Sequence, residues 1–460
     1  MKDFLRTNRT LLGMILLWFI TAVVAGPLLY LLLPLSVLFF RSRELWPEML
    51  MGFLMVLVAS DVENAIVFMR VVKSAKLGYV IVLALIFLME RDRFAPFARV
   101  WVLFTPFFIY SLFPIMKAAN VEGVPVFVTV QKTISYILLY MVVPNYFIYC
   151  FRRQGWDFIR NLIHFFLFIL VLQVLIPYLA PSYQTLIGGR YRGTFGNPNA
   201  LAIFSFLFTV LFFTANQMNP RLFSRTTRVF SYAIIGLLLI KAGSRTSVVS
   251  TLMFLTLVRF FRISPILGFV SFISMVGAYE LVSSNITAIV SYLGLENYLR
   301  VDSIEDGSGR YFAWEFAWEK LNEMGFFFFG GGFGTDEEVM WSYHEYLNSM
   351  GHQGGIHNSY LTLWFNTGIV GLALYMRGFF LLFFKSNKRV ASAFAIMLSV
   401  LFSGMYESWL VGSLNPFTIV LLLIITLISE EEIQPVIGNE DPPEEVEAVP
   451  EVPQLVLPAR

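Results

Sequence analysis

The sequence predicts an all-α, polytopic membrane protein, and three observations support this fold class. Of the 460 residues, 57% are hydrophobic and only 14% are charged. The chain contains many apolar runs, and about 20 apolar residues are enough for a helix to cross a bilayer. Short polar breaks rich in arginine, glycine or proline separate these runs. This composition excludes an ordinary soluble domain.

Apolar length and helix-breaking residues predict about 12–14 transmembrane helices. The predicted spans are 11–25, 27–40, 48–60, 77–89, 100–116, 127–150, 161–180, 199–214, 229–242, 246–258, 264–282, 357–384, 390–404 and 414–430. The first two spans follow no cleavable signal pattern, so we expect them to remain in the protein as a helical hairpin.

Basic residues predict which end of each helix faces the cytoplasm. Six clusters fall on one side, which the positive-inside rule makes cytoplasmic: Arg41/Arg43, Arg91/Arg93/Arg99, Arg152/Arg153/Arg160, Arg221/Arg225/Arg228, Arg259/Arg262 and Lys385/Lys388/Arg389. The same parity places four segments on the outer side: 188–202, 241–247, 281 to about 355, and 404–409. Arg70, Lys73 and Lys76 also fall on the outer side and are exceptions to the rule.

The chain divides into five expected regions. Residues 1–182 are N-terminal transmembrane helices, 183–282 are helices with outer-face arginine motifs, and 283–356 form a large periplasmic loop. Residues 357–430 form the C-terminal transmembrane helices. Residues 431–460 are acidic and rich in proline, with too little apolar content for a core, which predicts a disordered cytoplasmic tail. The single Cys150 excludes an internal disulfide.

Arg245 lies in KAGSRTS, a short break between two apolar segments. An arginine beside the membrane is costly unless it is paired or faces a polar cavity. Ser244 and Thr246 can cap the following helix, and a guanidinium at a helix N-terminus suits phosphate binding. This segment indicates an anion site, with an interfacial or acid-paired arginine as the alternative.

A second arginine motif is GRYRGTFGNPNALA, which carries Arg190 and Arg192 immediately before an apolar helix. Asn197 and Asn199 are both suited to cap that helix. The two guanidiniums favour phosphate binding, whereas the glycines, prolines and asparagines are typical of a turn.

In the large loop, DSIEDGSGRYFAWEFAWEKL predicts an amphipathic helix that Arg310 opens. Tyr311, Trp314, Trp318 and Leu321 share one face at helical spacing, which could lie on the membrane or cover a groove. The preceding acids lack the spacing of a calcium loop and are interpreted as solvated: Asp302, Glu305 and Asp306.

Three of the four histidines lie close together in the same loop, after a run of glycines. His357 precedes a predicted helix at its outer end, where it can take a proton from a hydroxyl group. The alternative is a histidine that caps the helix or fills a polar pocket. His352 and His344 are weaker candidates. The glycines at 330–332 and 334 predict a loop whose backbone can approach a ligand closely.

Five segments in order, RGTFGNPNALA, GSRTS, GSGRYFAWEFAW, GGGFGT and HNSYL, resemble the O-antigen ligase and polymerase family of bacterial membrane glycosyltransferases. The resemblance covers roughly residues 185–375. It implies a GT-C-type fold in the inner membrane that transfers glycan from an undecaprenyl-diphosphate carrier at the periplasmic face. It also implies that neither a metal nor another cofactor takes part.

The resemblance implies roles for individual residues. His357 resembles the general base that deprotonates an acceptor hydroxyl for one inverting displacement. Four residues are assigned to the donor diphosphate, with Arg192 as an additional positive charge: Arg190, Arg192, Arg245 and Arg310. Three residues are expected to support the site: Asn197, Asn199 and Asn358.

The expected partners are the lipid-linked glycan, an acceptor and the lipid bilayer, with no nucleic acid. A ligase would use lipid A-core as acceptor, and a polymerase would use a second lipid-linked glycan. A lipid-linked glycan transporter needs a polar path through the helices, whereas this chain gathers its polar groups on one face. A scaffold for polysaccharide export would leave the outer arginines unexplained.

Overall fold

A computed structural model describes residues 2–62, 67–118, 126–181, 183–285, 292, 310–352, 354–386 and 390–436. In these residues every predicted span coincides with a helix. The helices are α1 (Lys2–Thr7), α2 (Arg9–Val24), α3 (Leu29–Ser42), α4 (Trp46–Ser60), α5 (Val67–Met89), α6 (Arg91–Phe94), α7 (Arg99–Ser111), α8 (Phe113–Ala118), α9 (Val126–Gln154), α10 (Trp156–Leu179), α11 (Pro198–Met218), α12 (Arg225–Ala242), α13 (Arg245–Ile263), α14 (Pro265–Ser284), α15 (Arg310–Glu323), α16 (Thr335–Ser342), α17 (His344–Ser349), α18 (Ser359–Ser386), α19 (Ala393–Tyr406) and α20 (Pro416–Ser429).

Eight of the described helices are long and apolar enough to cross a membrane, which confirms a polytopic all-α protein. Five further apolar segments are shorter, at 10–17 residues. The remaining predicted span is α12, which begins with Arg225 and Arg228 and ends beside Lys241. A two-stranded hairpin, β1 (Leu186–Ile187) and β2 (Arg190–Tyr191), precedes α11.

The interior of the bundle is built around α11 and α20. All 14 residues of α20 are buried, and the most apolar window of α11 is 89% buried. A helix that is apolar on all sides is expected to be surrounded by other helices. By contrast, the equivalent window of α14 is only 6% buried, so α14 lies at the periphery.

A second, smaller hydrophobic cluster lies beyond one end of the bundle, where α15, α16 and α17 pack against the start of α18. The predicted amphipathic helix is α15, but its buried face consists of Ala313, Phe316, Ala317 and Leu321. Trp318 is 43% exposed. Of the predicted apolar face only Leu321 is fully buried, because small alanines allow the closest helix packing.

The glycine-rich loop approaches the backbone of α18. Gly330 has φ 70°, and a Cβ atom there would lie 2.4 Å from backbone atoms of Asn366 and Thr367. Gly368 interrupts α18 with φ 70°, and its Cβ would lie 2.2 Å from the Phe328 carbonyl oxygen. Within the described residues, Gly330 and Gly368 therefore allow a close approach between two protein segments.

The C-terminal segment is ordered further than its composition predicts. Arg152 Nε lies 2.7 Å from Glu432 Oε2, Ile433 is fully buried, and the Val436 N–H donates to the Met218 carbonyl at 2.7 Å. Disorder from residue 431 onward was therefore a wrong expectation for 431–436, because these residues dock on the bundle. The rest of the predicted tail, 437–460, lies outside the described residues.

Candidate functional site

Glu407 joins three separate parts of the chain at one end of the bundle. It follows α19, and its side chain is 8% exposed. Its Oε1 atom accepts from Arg310 Nη2 at 2.8 Å and from Asn199 Nδ2 at 2.9 Å. Its Oε2 atom lies 3.5 Å from His357 Nδ1. A single carboxylate thus gathers residues from α11, α15 and the segment before α18.

The start of α11 is built so that Asn199 faces this carboxylate. The Asn197 side chain accepts from the Ala200 N–H at 2.8 Å and caps the helix, and Pro198 occupies the first helical position. Asn197 is therefore the predicted cap. Asn199 lies two residues after this cap, and its side chain contacts Glu407.

Arg190 joins the cluster through Asn199. Its Nη2 donates to Asn199 Oδ1 at 2.6 Å, and its Nε donates to the Ala242 carbonyl at 2.9 Å. Burial lowers the pKa of Arg190, and the positive charges of Arg245 and Arg310 lower it further, whereas Glu407 opposes the change. Arg245 and Arg310 are thus both close enough for their charges to act on Arg190. Arginine nevertheless stays protonated in proteins.

Arg245 is the first residue of α13 and is exposed. Ser244 occupies the cap position, but its hydroxyl donates to Ser247 Oγ at 3.2 Å and caps no backbone N–H. The expectation that Ser244 caps the helix is therefore wrong. The N-terminal N–H groups of α13 and the Arg245 guanidinium form a positive surface beside Arg190.

His357 is held at the entrance to α18. Asn358 caps that helix, since its Oδ1 accepts from the N–H groups of Tyr360 and Leu361 at 3.0 Å each. His357 itself has φ 51°, an uncommon left-handed conformation for a residue with a side chain. A Cβ atom at Gly354 would lie 2.9 Å from His357 Nε2. The ring nitrogen away from Glu407 therefore borders a position where only glycine fits.

The other loop histidines have different surroundings. His352 is buried, its Nε2 lies 3.0 Å from the Gly355 carbonyl, and its ring packs edge-on against His357 at 5.7 Å. Burial lowers the pKa of His352. His344 is exposed and stacks on Trp341, outside the cluster. His352 thus packs against His357 and supports it. His344 lies outside the Glu407 cluster.

Arg192 is not part of the cluster. It is fully buried, and its guanidinium donates to the Gln184 carbonyl at 2.7 and 3.0 Å and lies over the Tyr183 ring. Arg190 and Arg192 are two residues apart on an extended segment, so two guanidiniums at one site seemed plausible from sequence. In the structure, Arg192 instead holds the loop before α11. This corrects its assignment to the diphosphate.

Sequence reasoning missed Glu407. The available signal was its isolation, because it is an acidic residue in GMYESW between two apolar runs, where an unpaired charge is costly. Its partners lie 50 to 208 residues away along the chain, so their pairing emerges only from the fold.

An open, mostly apolar groove of about 420 Å³ runs beside Asn358. Trp314 and Trp318 of α15 line one part, and Tyr360 and Trp364 of α18 line another. Trp318 and Trp364 meet edge to face at 5.1 Å. The aromatic face predicted for α15 therefore covers a groove.

Asp302, Glu305 and Asp306 lie outside the described residues. Where the structure describes the chain, no three His, Cys, Asp or Glu side chains are grouped to hold a metal ion.

These features define a multi-pass helical membrane protein with a cationic, histidine-containing site at one end of its bundle. Residues 229–376 match the family model described as O-antigen ligase. The matched range contains Arg245, Arg310 and His357, whereas Arg190 and Glu407 lie outside it. None of the curated proteins matches the chain. The family supports a glycosyltransferase-type role in O-antigen assembly.

Proposed function

We propose that the protein transfers glycan from an undecaprenyl-diphosphate carrier to an acceptor sugar hydroxyl at the periplasmic face of the inner membrane, as an O-antigen ligase. The observation that carries the proposal is the set of contacts around Glu407, whose carboxylate lies against Arg310, Asn199 and His357. The site then combines an anion-binding region with a base.

Charge supports a diphosphate donor. Arg310 pairs with Glu407, Arg190 reaches it through Asn199, and Arg245 lies nearby without contacting it, so these three arginines and one carboxylate leave an excess of two positive charges when His357 is neutral. A diphosphate with two organic substituents carries two negative charges. The diphosphate is also a good leaving group, which needs charge stabilisation more than protonation. No step of the proposed reaction needs a metal.

In the proposed reaction, His357 accepts the proton of the acceptor hydroxyl at Nε2, and Glu407 stabilises the imidazolium that forms. The hydroxyl oxygen attacks the anomeric carbon from the side opposite the diphosphate. The bond from that carbon to the diphosphate oxygen breaks, and its electron pair leaves with the carrier. The anomeric configuration inverts, and the arginines stabilise the departing diphosphate.

The groove lined by Trp314, Trp318 and Trp364 is the proposed location of glycan or polyprenyl chain beside the base. Aromatic rings suit both, since a sugar ring and a polyprenyl chain each offer an apolar surface. The same donor site also serves a repeat-unit polymerase, so the acceptor distinguishes the two reactions.

The test is a transfer assay with purified protein in nanodiscs and an undecaprenyl-diphosphate glycan. Lipid A-core and a second lipid-linked glycan are supplied separately. We expect product with lipid A-core, a loss of at least about 100-fold in His357→Gln, and near-normal turnover in the matched control His344→Gln.

Product only with the second lipid-linked glycan would identify a polymerase. Equal turnover of the wild type and His357→Gln would reject the proposed base. Movement of intact lipid-linked glycan across the bilayer without transfer would support the transporter.

A further inference from the structure

A cavity of about 470 Å³ lies beside the arginine cluster and plays no part in the proposed reaction. Lys73 and Lys76 of α5 line it, together with Asp61, which follows α4. The two lysines are exceptions to the positive-inside rule, so their position at this end needs a separate explanation. The volume is within the range of small-molecule sites, about 300–1,000 Å³.

The N-termini of α11 and α20 converge on the same cavity. Asn197 caps α11 and Asn415 caps α20, and both residues line the wall. The positive ends of helix dipoles favour anions, and they act here in addition to two ammonium groups.

The contacts of the two lysines differ. Lys76 donates to the Leu414 carbonyl at 3.0 Å and to Ser60 Oγ at 3.4 Å, so it is held in place. Lys73 is exposed and makes no hydrogen bond or ion pair to another described residue. One ammonium is fixed in the wall, and the other is available to a ligand.

Asp61 neutralises little of this charge. Its Oδ2 atom is buried and has no hydrogen-bond partner among the described residues. Burial raises the pKa of Asp61 to about 7, although the Gly196 N–H, Lys76 and Lys73 act in the opposite direction. A substantial fraction of this carboxyl is therefore protonated at neutral pH. It can then donate a hydrogen bond to an oxyanion.

The cavity is adjacent to the Glu407 cluster. Asn197 lines the cavity, and Asn199, two residues further along α11, contacts Glu407. We propose that this cavity is a second anion site, which binds a phosphorylated sugar of the acceptor. The identity of the ligand rests on the proposed transfer reaction, whereas the binding of an anion does not.

The binding test uses full-length protein in nanodiscs of phosphatidylcholine, titrated with glucosamine 1-phosphate, glucosamine or inorganic phosphate. We expect glucosamine 1-phosphate to bind most tightly. Lys73→Gln should weaken it about tenfold, because a charge-assisted hydrogen bond to the phosphate is lost. Lys385→Gln, at an exposed lysine in the last turn of α18, is the matched control, and Arg310→Gln should leave this binding unchanged.

Lys73→Gln is preferred to Lys76→Gln, because Lys76 also holds the Leu414 carbonyl. Equal binding by Lys73→Gln and the wild type would overturn the proposal. Inorganic phosphate that binds as tightly as the sugar phosphate would overturn the sugar assignment. Displacement by phosphatidylglycerol in the nanodisc, with no binding of sugar phosphate, would assign the cavity to a lipid headgroup.

The transfer assay separates this inference from the proposed function. With a phosphorylated acceptor, Lys73→Gln should raise KM about tenfold at unchanged kcat, and with the dephosphorylated acceptor it should change neither. Sugar-phosphate binding without any transfer would contradict the transferase and retain the site. Transfer with equal KM values for both acceptors in both proteins would contradict an acceptor role.

Discussion

The arginines at the two ends of the bundle differ in how many carboxylates they have. At the end where α3 and α9 finish, Arg41 pairs with Glu90 at 2.6 Å, Arg152 with Glu432 at 2.7 Å and Arg153 with Glu44 at 2.7 Å. At the other end, Arg310 pairs with Glu407 at 2.8 Å, Arg190 reaches the same carboxylate through Asn199, and the charge of Arg245 acts on Arg190.

At the first end Glu44 contacts Arg41, Arg93 and Arg153, but Glu90 and Glu432 supply further carboxylates, so these ion pairs tie helix ends together. A group of guanidiniums around one carboxylate has positive charge left over, which an anionic ligand can neutralise. The comparison therefore separates arginines that hold the fold from arginines that are available to a substrate, and each prediction below tests that separation.

The largest effect is expected for Glu407→Gln. The change removes the charge that orients His357 and Arg310, and we expect turnover to fall by about 10²–10⁴-fold. The measurement is glycan transfer in nanodiscs, with Glu432→Gln as the matched change at the other end. Comparable activity losses in both variants, or none in Glu407→Gln, would contradict the distinction between the two ends.

Arg310→Gln and Arg152→Gln should have opposite consequences. Arg310→Gln should reduce turnover about 100-fold, because one charged donor to the diphosphate is lost. Arg152→Gln should lower the temperature of thermal unfolding at near-normal turnover, because Arg152 also donates to the Phe94, Ala95 and Pro96 carbonyls. A reduced unfolding temperature in Arg310→Gln, with normal turnover, would reverse the interpretation.

The same contrast should hold for two arginines only two residues apart. Arg190→Lys should lower turnover about tenfold, since an ammonium cannot reproduce the two directions in which the guanidinium donates. Arg192→Lys should mainly lower the unfolding temperature. Each variant serves as the control for the other, and a larger activity loss in Arg192→Lys would return Arg192 to the site.

The smallest effect concerns Asp61, an acid at the Glu407 end of the bundle with no ion pair to another described residue. Its pKa is raised to about 7 from an ordinary 3.8, so the folded protein holds more protons than the unfolded chain between these values. Wild-type stability should therefore decline as the pH rises from 5 to 8. Asp61→Asn lacks this decline, a difference on the order of 2 kcal/mol.

Thermal unfolding across this pH range measures the Asp61 effect. The exposed Asp92→Asn is the control and should follow the wild type. An Asp61→Asn curve parallel to the wild-type curve would show that this carboxyl is already ionised in the folded protein.

The helices could be predicted because each corresponds to a continuous apolar run in the sequence that ends at a polar break. Arg245, Arg310 and His357 could be proposed as site residues for a similar reason, since each occurs where a helix starts. The face of α15 was harder, because Ala313 and Ala317 have little apolar surface, yet their small size decides which side packs.

Contacts between distant segments could not be predicted from one sequence. Arg190 and Arg192 are nearly equivalent in sequence, and only the path of the loop before α11 separates their roles. Gly330 and Gly368 are 38 residues apart and serve one close backbone approach. The fold, rather than local pattern, also connects Glu407 to Asn199.

The position of Glu407 near the C-terminus has a consequence for biogenesis. Ribosomes make Arg190, Arg245 and Arg310 before Glu407, and the helix that precedes this carboxylate is α19. A nascent chain therefore exposes three cations without their common counter-ion until α19 is inserted. A chain that terminates before residue 407 would lack this carboxylate, so Arg310 would have no partner there.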